Sequence, residues 1–199
     1  MVWGGGTDDQ TEYRGEWKDG KANGFGILTT NRYLYHGQFL RSMRQGKGKQ
    51  RWLDFDLLSY EGDWVDDCPE GYGILKSKRG DTYYGAKREA KPNGLGVLVA
   101  PGEKKSYGDF TAWIENGKCT IIDPKKNSML RGEFNQEGRL HGIGQYIPEM
   151  RDMRVNFIGE YKYGLKQGAG IDNRKSNRIS RGLFSEDSFQ SGTQSIGDS

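Results

Sequence analysis

A glycine that returns at near-constant spacing constrains this chain more than any other feature. It stands at Gly15, Gly37, Gly62, Gly85, Gly108, Gly132 and Gly159, with gaps of 22, 25, 23, 23, 24 and 27 residues. Two residues before it come Tyr13, Tyr35, Tyr60, Tyr83, Ser106, Leu130 and Phe157. Two residues after it come Trp17, Phe39, Trp64, Lys87, Phe110, Phe134 and Tyr161. A second glycine follows nine residues later at Gly24, Gly46, Gly71, Gly94, Gly117 and Gly168; the sixth copy carries one extra residue and uses Gly142. A third lies two further on at Gly26, Gly48, Gly73, Gly96, Gly144 and Gly170, with Cys119 in its place in the fifth copy. Self-similarity at such a period indicates stacked supersecondary units, none of which buries its apolar face alone.

The alternation within each unit is that of β-strands. Residues i, i+2 and i+4 of a strand share a face, so Tyr13, Gly15 and Trp17 point one way, as do Gly24, Gly26 and Leu28 on the next strand. The polar run between them contains Asp19-Gly20 and ends in Asn23-Gly24, both turn signals. Each unit therefore reads as a β-hairpin. Glycine weakens an ordinary strand, but its bare backbone also offers a floor on which a neighbouring ring can lie. Aliphatic residues are sparse and the mean hydropathy is −0.88. Rings that each bury about 150–250 Å² take over the work of the missing aliphatic core.

The expected fold is all-β: an elongated single-layer array of antiparallel hairpins, with seven repeats and a degenerate eighth at Gly182 and Phe184. The repeat domain is placed at 1–184, with repeats near 13–34, 35–59, 60–82, 83–105, 106–129, 130–156 and 157–181. Residues 185–199 hold Glu186, Asp187 and Asp198, are Ser-rich and lack Lys and Arg, and are expected to form an acidic disordered tail. Three stretches between repeats, 52–58, 121–130 and 146–156, are expected to be elaborated loops.

The pattern Y13-R-G15-E-W17-K-D-G20-K-A-N-G24-F-G26, repeated in Y60-E-G62-D-W64 with G71-Y-G73, resembles the MORN repeat (membrane occupation and recognition nexus). The resemblance runs from residue 13 to about 172. It implies a non-enzymatic scaffold or adaptor in a cytoskeletal, ciliary or membrane-associated assembly. The partner is then another protein, held as an extended segment or an amphipathic helix along the ring-lined face. The residues expected to hold it are Tyr13, Trp17, Tyr35, Phe39, Tyr60, Trp64, Tyr83, Phe110, Phe134, Phe157 and Tyr161. The alternative is a peripheral membrane module that binds anionic phospholipid through Lys76, Lys78, Arg79, Lys87, Arg88, Lys91, Lys104 and Lys105, although six acidic residues are interleaved with them. Repeat arrays also pair at exposed edges, so a homodimer or a subunit role in a larger assembly fits the same pattern.

Several chemistries lack their residues. Gly15-x4-Gly20-Lys21 imitates a phosphate loop, but Ala22 stands where a Ser or Thr is needed and no apolar strand precedes it. The two histidines, His36 and His141, have no metal-ligand neighbours at useful spacing. Cys68 lies in the turn D66-D-C-P-E, and Cys119 fills a framework position. No nucleophile, base and oxyanion donor can be assembled, so neither catalysis nor a cofactor is expected. A net charge of +3 is far from a nucleic-acid footprint. Two cysteines, no glycosylation sequon and no apolar leader point to a reducing, cytoplasmic setting. Lys87 occupies a ring position without a ring, so its replacement by alanine is expected to cost little.

Overall fold

The computed structural model describes residues 11–53, 57–89, 91–150, 156–175 and 178–196. Sixteen antiparallel strands follow one another in sheet order as they do along the chain, with no helix among them. The first eight are β1 Glu12–Lys18, β2 Lys21–Thr29, β3 Tyr33–Leu40, β4 Met43–Trp52, β5 Leu57–Val65, β6 Cys68–Ser77, β7 Thr82–Arg88 and β8 Lys91–Val99. The second eight are β9 Lys105–Thr111, β10 Ile114–Asp123, β11 Ser128–Phe134, β12 Leu140–Ile147, β13 Phe157–Lys162, β14 Leu165–Lys175, β15 Arg178–Ser185 and β16 Ser188–Ile196. Contacts divide the chain into two compact units, residues 1–96 and 97–199.

Most hairpins close through a two-residue turn with both residues at positive φ, the mirror-image turn that matches strand twist. Asp19 and Gly20 adopt φ 51° and 70°, as the sequence suggests. Arg41-Ser42, Asp66-Asp67, Ala112-Trp113 and Glu186-Asp187 do the same without glycine. Asn23-Gly24, by contrast, is no turn. Gly15 pairs with Gly26 and Trp17 with Ala22, so two extra residues bulge from β2 between these pairs. Gly24 sits in that bulge at φ 84°.

In the first unit the framework rings form one stack, edge-to-face except for the tilted Tyr60–Trp64 pair. Tyr13 meets Trp17 at 5.1 Å and Phe39 at 5.0 Å; Tyr35 meets Phe39 at 5.1 Å and Trp64 at 5.0 Å; Tyr60 meets Trp64 at 5.5 Å. Tyr13, Tyr35, Phe39 and Trp64 thus each touch a ring of their own repeat and one of a neighbouring repeat, which makes burial depend on stacking. In the second unit the core is Cys119, Phe134, Leu140, Phe157, Tyr161 and Phe184.

Two expectations are corrected. Residues 188–196 are not a disordered tail but strand β16, paired with β15 from Ser185↔Ser188 to Arg178↔Ile196. The framework glycines there, Gly182↔Gly192, are ten residues apart, where Gly15↔Gly26 are eleven apart, and that slip hides the eighth unit in the sequence. Residues 121–130 are not a loose loop either, because β10 and β11 stay in register out to Asp123↔Ser128. Of the other two stretches, residues 54–56 and 151–155 lie outside the described residues.

Candidate interaction surface

The ring position, the glycine pair and the turn form one device. A Cβ added to Gly26 would strike the Tyr13 ring, one on Gly48 the Tyr35 ring, and one on Gly96 the Tyr83 ring. The glycines are therefore bare because a phenol lies on them. Each phenol also donates to the carbonyl three residues on: Tyr13 to Glu16 O at 2.9 Å, Tyr35 to Gln38 O at 3.0 Å, Tyr60 to Asp63 O at 2.8 Å and Tyr83 to Ala86 O at 2.8 Å. Burial, the largest cause, pushes the Tyr35 phenol up to about 12 and raises that of Tyr60 as well, so both remain donors at any ordinary pH.

This device consumes the rings expected to hold a partner. Tyr13, Tyr35, Phe39, Tyr60, Trp64, Tyr83, Phe110, Phe134, Phe157 and Tyr161 are all buried, and Tyr35, Tyr60, Tyr83 and Phe157 have no exposed surface. Trp17 alone of that set is half-buried. The ring-lined face is core, not groove.

The basic cluster is also dispersed. Lys76, Lys78 and Arg79 lie exposed where β6 gives way to β7, whereas Arg88 and Lys91 flank the turn at the far end of β7. Seven residues of strand span about 20 Å. Lys104 and Lys105 are exposed in the second unit. Lys87 is buried, with Nζ 4.2 Å above the Tyr60 ring and without a hydrogen bond. Burial, the largest cause, lowers its pKa to about 8 against the pull of Glu70 and Asp63. Lys87 therefore is not an idle position. It stands over Tyr60 where Phe39 stands over Tyr13 and Trp64 over Tyr35.

Two framework positions escaped the sequence reading. The first lies between the glycine and the second ring. Glu16 Oε1 accepts from Phe25 N–H at 3.0 Å and Gln38 Oε1 from Lys47 N–H at 2.7 Å, each capping the bulge at the second glycine. Asp63, Asp109, Glu133 and Glu160 stand at the matching bulges, while the fourth copy has Ala86. The recurring acid or amide was visible in the sequence. The second position pairs with the second ring: Ala22, Arg44, Pro69, Glu115, Leu140, Lys166 and Phe189. Its side chains turn onto the rings. Arg44 lies 4.6 Å over Trp64 and is held by Asp67 at 2.9 Å; Lys166 lies 4.4 Å over Phe157 and is held by Asp172 at 2.8 Å. Its chemistry varies freely, so no pattern announces it.

The opposite face of each unit is left open. Its most exposed large apolar side chains in the first unit are residues between the paired glycines, Phe25, Tyr72 and Leu95, at 57, 65 and 61%. Tyr72 pairs with Ala86, and Ile74 with exposed Tyr84, so the third and fourth repeats present a continuous apolar and aromatic patch. In the second unit Ile143 holds the same place, and exposed Leu183 pairs with Ala169, the residue between Gly168 and Gly170. Among the described residues no group of His, Cys, Asp and Glu could hold a metal ion; His36 and His141 are exposed, and so is Cys68. No described helix is long and apolar enough to cross a membrane.

The model of the MORN repeat family matches residues 13–31, 35–56, 60–82 and 157–171. No curated protein matches the chain. The matched stretches are the copies in which both rings and all three glycines are present, and the hairpin register continues between them through copies whose rings are replaced. MORN repeats are protein- and membrane-interaction repeats, and the chain carries them at those four positions.

Proposed function

We propose that the chain is a non-enzymatic interaction scaffold that binds another protein through the face opposite its framework rings. The supporting observation is the patch of exposed Tyr72, Tyr84 and Leu95 with half-buried Ile74 beside them, set in register by glycines whose rings are spent on the other side. Aromatic residues that fold nothing are suited to recognition, since they bring large rigid area at low entropic cost. The setting implied by the family, a cytoskeletal, ciliary or membrane-associated assembly, belongs to the same proposal. A membrane role has less support, because Arg88 and Lys91 lie at the opposite end of β7 from Lys76, Lys78 and Arg79, and Lys87 is buried.

The test compares affinity capture by the wild-type chain with capture by the Tyr72→Ser, Tyr84→Ser double variant, beside flotation on vesicles containing phosphatidylserine. The expected result is a stoichiometric protein partner that the variant loses while its melting temperature stays within a few degrees. Salt-sensitive flotation without a protein partner would contradict the proposal.

A further inference from the structure

In the second and third repeats the second ring is seated from the repeat before it. Phe39 receives the Tyr13 ring edge-on at 5.0 Å, and Trp64 receives Tyr35 at 5.0 Å. Trp64 also donates its indole N–H to Gly48 O at 3.1 Å, and Gly48 lies in β4, the neighbour of β5. Trp17 holds this position in the first repeat. Among the described residues no earlier repeat supplies it with a ring, and nothing accepts from its Nε1 although that atom is shielded from solvent. β1 pairs only with β2 among the described strands. A cleft of about 430 Å³ opens beside Trp17, lined also by Thr11, Leu28 and Ser42. It is open because Ala22 stands where the third, sixth and seventh repeats carry Pro69, Leu140 and Lys166 and the second carries Arg44.

We propose that this end accepts a β-hairpin of the same repeat class carried by a different protein chain. The visiting hairpin adds an antiparallel strand to β1, gives a main-chain carbonyl to Trp17 Nε1 and sets an aromatic ring edge-on against the indole. The occupant follows from continuity: these are the three things β3 and β4 give to β5 and Trp64 within the first unit. A second copy of this chain is a poor occupant. Its last hairpin, β15–β16, carries Ser180 where the ring should be, and its Phe184 is already taken by Phe157 and Phe189. The inference rests on the scaffold reading only in taking binding as the role. The end and the open face are separate surfaces, and the test reads Trp17 alone.

The probe is a synthetic peptide of residues 33–52, YLYHGQFLRSMRQGKGKQRW, which contains the ring and the carbonyl that seat Trp64. It is added to the intact chain with ¹⁵N-labelled tryptophan, and its affinity is measured by anisotropy of a dye on the peptide. The expected result is a saturable shift of the Trp17 indole resonance while that of Trp64 stays put. A peptide with Tyr35→Ser binds about tenfold more weakly, having lost an edge-to-face pair. Trp17→Phe, which keeps a ring and removes the donor, weakens binding about tenfold with little change in melting temperature. A Trp17 resonance unmoved by millimolar peptide, or equal binding of the Ser peptide, would overturn the proposal. So would self-association of the unliganded chain in sedimentation that Trp17→Phe abolishes, because that assigns the end to a second copy.

Discussion

At the scale of the residue, lost rings are replaced by local substitutes rather than tolerated. The fifth copy has Ser106 in the first ring position and Cys119 at the third glycine. Cys119 Sγ reaches Asp109 O at 3.2 Å, the carbonyl that a tyrosine at 106 would reach, and Ser106 Oγ donates to Glu115 at 2.6 Å. The sixth copy fills the same space with Leu140, which packs over Gly132 and Gly144. The two changes in the fifth copy are therefore coupled. Ser106→Tyr alone should clash with Cys119, and Cys119→Gly alone should leave a void, each costing about 1–3 kcal/mol. The double variant should recover most of that loss, which a denaturant-unfolding cycle of the four proteins would show. Lys87 gives a pH-dependent case. Its folded pKa of about 8 lies below the ordinary 10.5, so between those values the unfolded chain holds more protons. Stability should therefore rise with pH across that window, the cost of the buried ammonium being complete below it. Lys87→Met keeps the stem over Tyr60 and removes the charge. It should melt higher than wild type near pH 7, with the gap closing by pH 10.

At the scale of the element, the hairpin was legible and its details were not. Tyr13, Gly15 and Trp17 announce a strand by alternation, and Asp19-Gly20 announces the turn. Asn23-Gly24 carries an equal turn signal yet lies in a bulge, because the Glu16 carboxylate supplies the acceptor that keeps Phe25 N–H inside the strand. A side chain seven residues away decides the matter, and local propensity does not contain it. β16 was missed for a related reason: its rings are reduced to Phe189 and its glycine is out of step, while pairing to β15 depends on main-chain groups that composition does not reveal. The face assignment was read correctly and its use was not, since alternation gives a side chain's direction but not what covers it. The bulge cap also yields a prediction. The fourth copy has Ala86 where others carry an acid or amide, beside Gly94 at φ 93°. Ala86→Glu should add a bulge acceptor and about 0.5–1.5 kcal/mol of stability, read as a higher urea midpoint at unchanged slope.

At the scale of the whole molecule, each unit spends one face on itself and keeps the other. A chain with so few aliphatic residues folds by stacking phenols on glycine backbones, which leaves the residues between the glycines free of any structural duty. Tyr35, Tyr60 and Tyr83 are therefore interior while Tyr72 and Tyr84 are available. Hydroxyl-radical footprinting read residue by residue tests it most directly. Phe25, Tyr72 and Tyr84 should oxidise rapidly in the free chain and Tyr35, Tyr60, Trp64 and Tyr83 slowly, with Tyr72 and Tyr84 protected once the captured partner is bound. Rapid oxidation of Tyr60 and Tyr83 in the free chain, followed by their protection on binding, would contradict it and return the binding face to the rings.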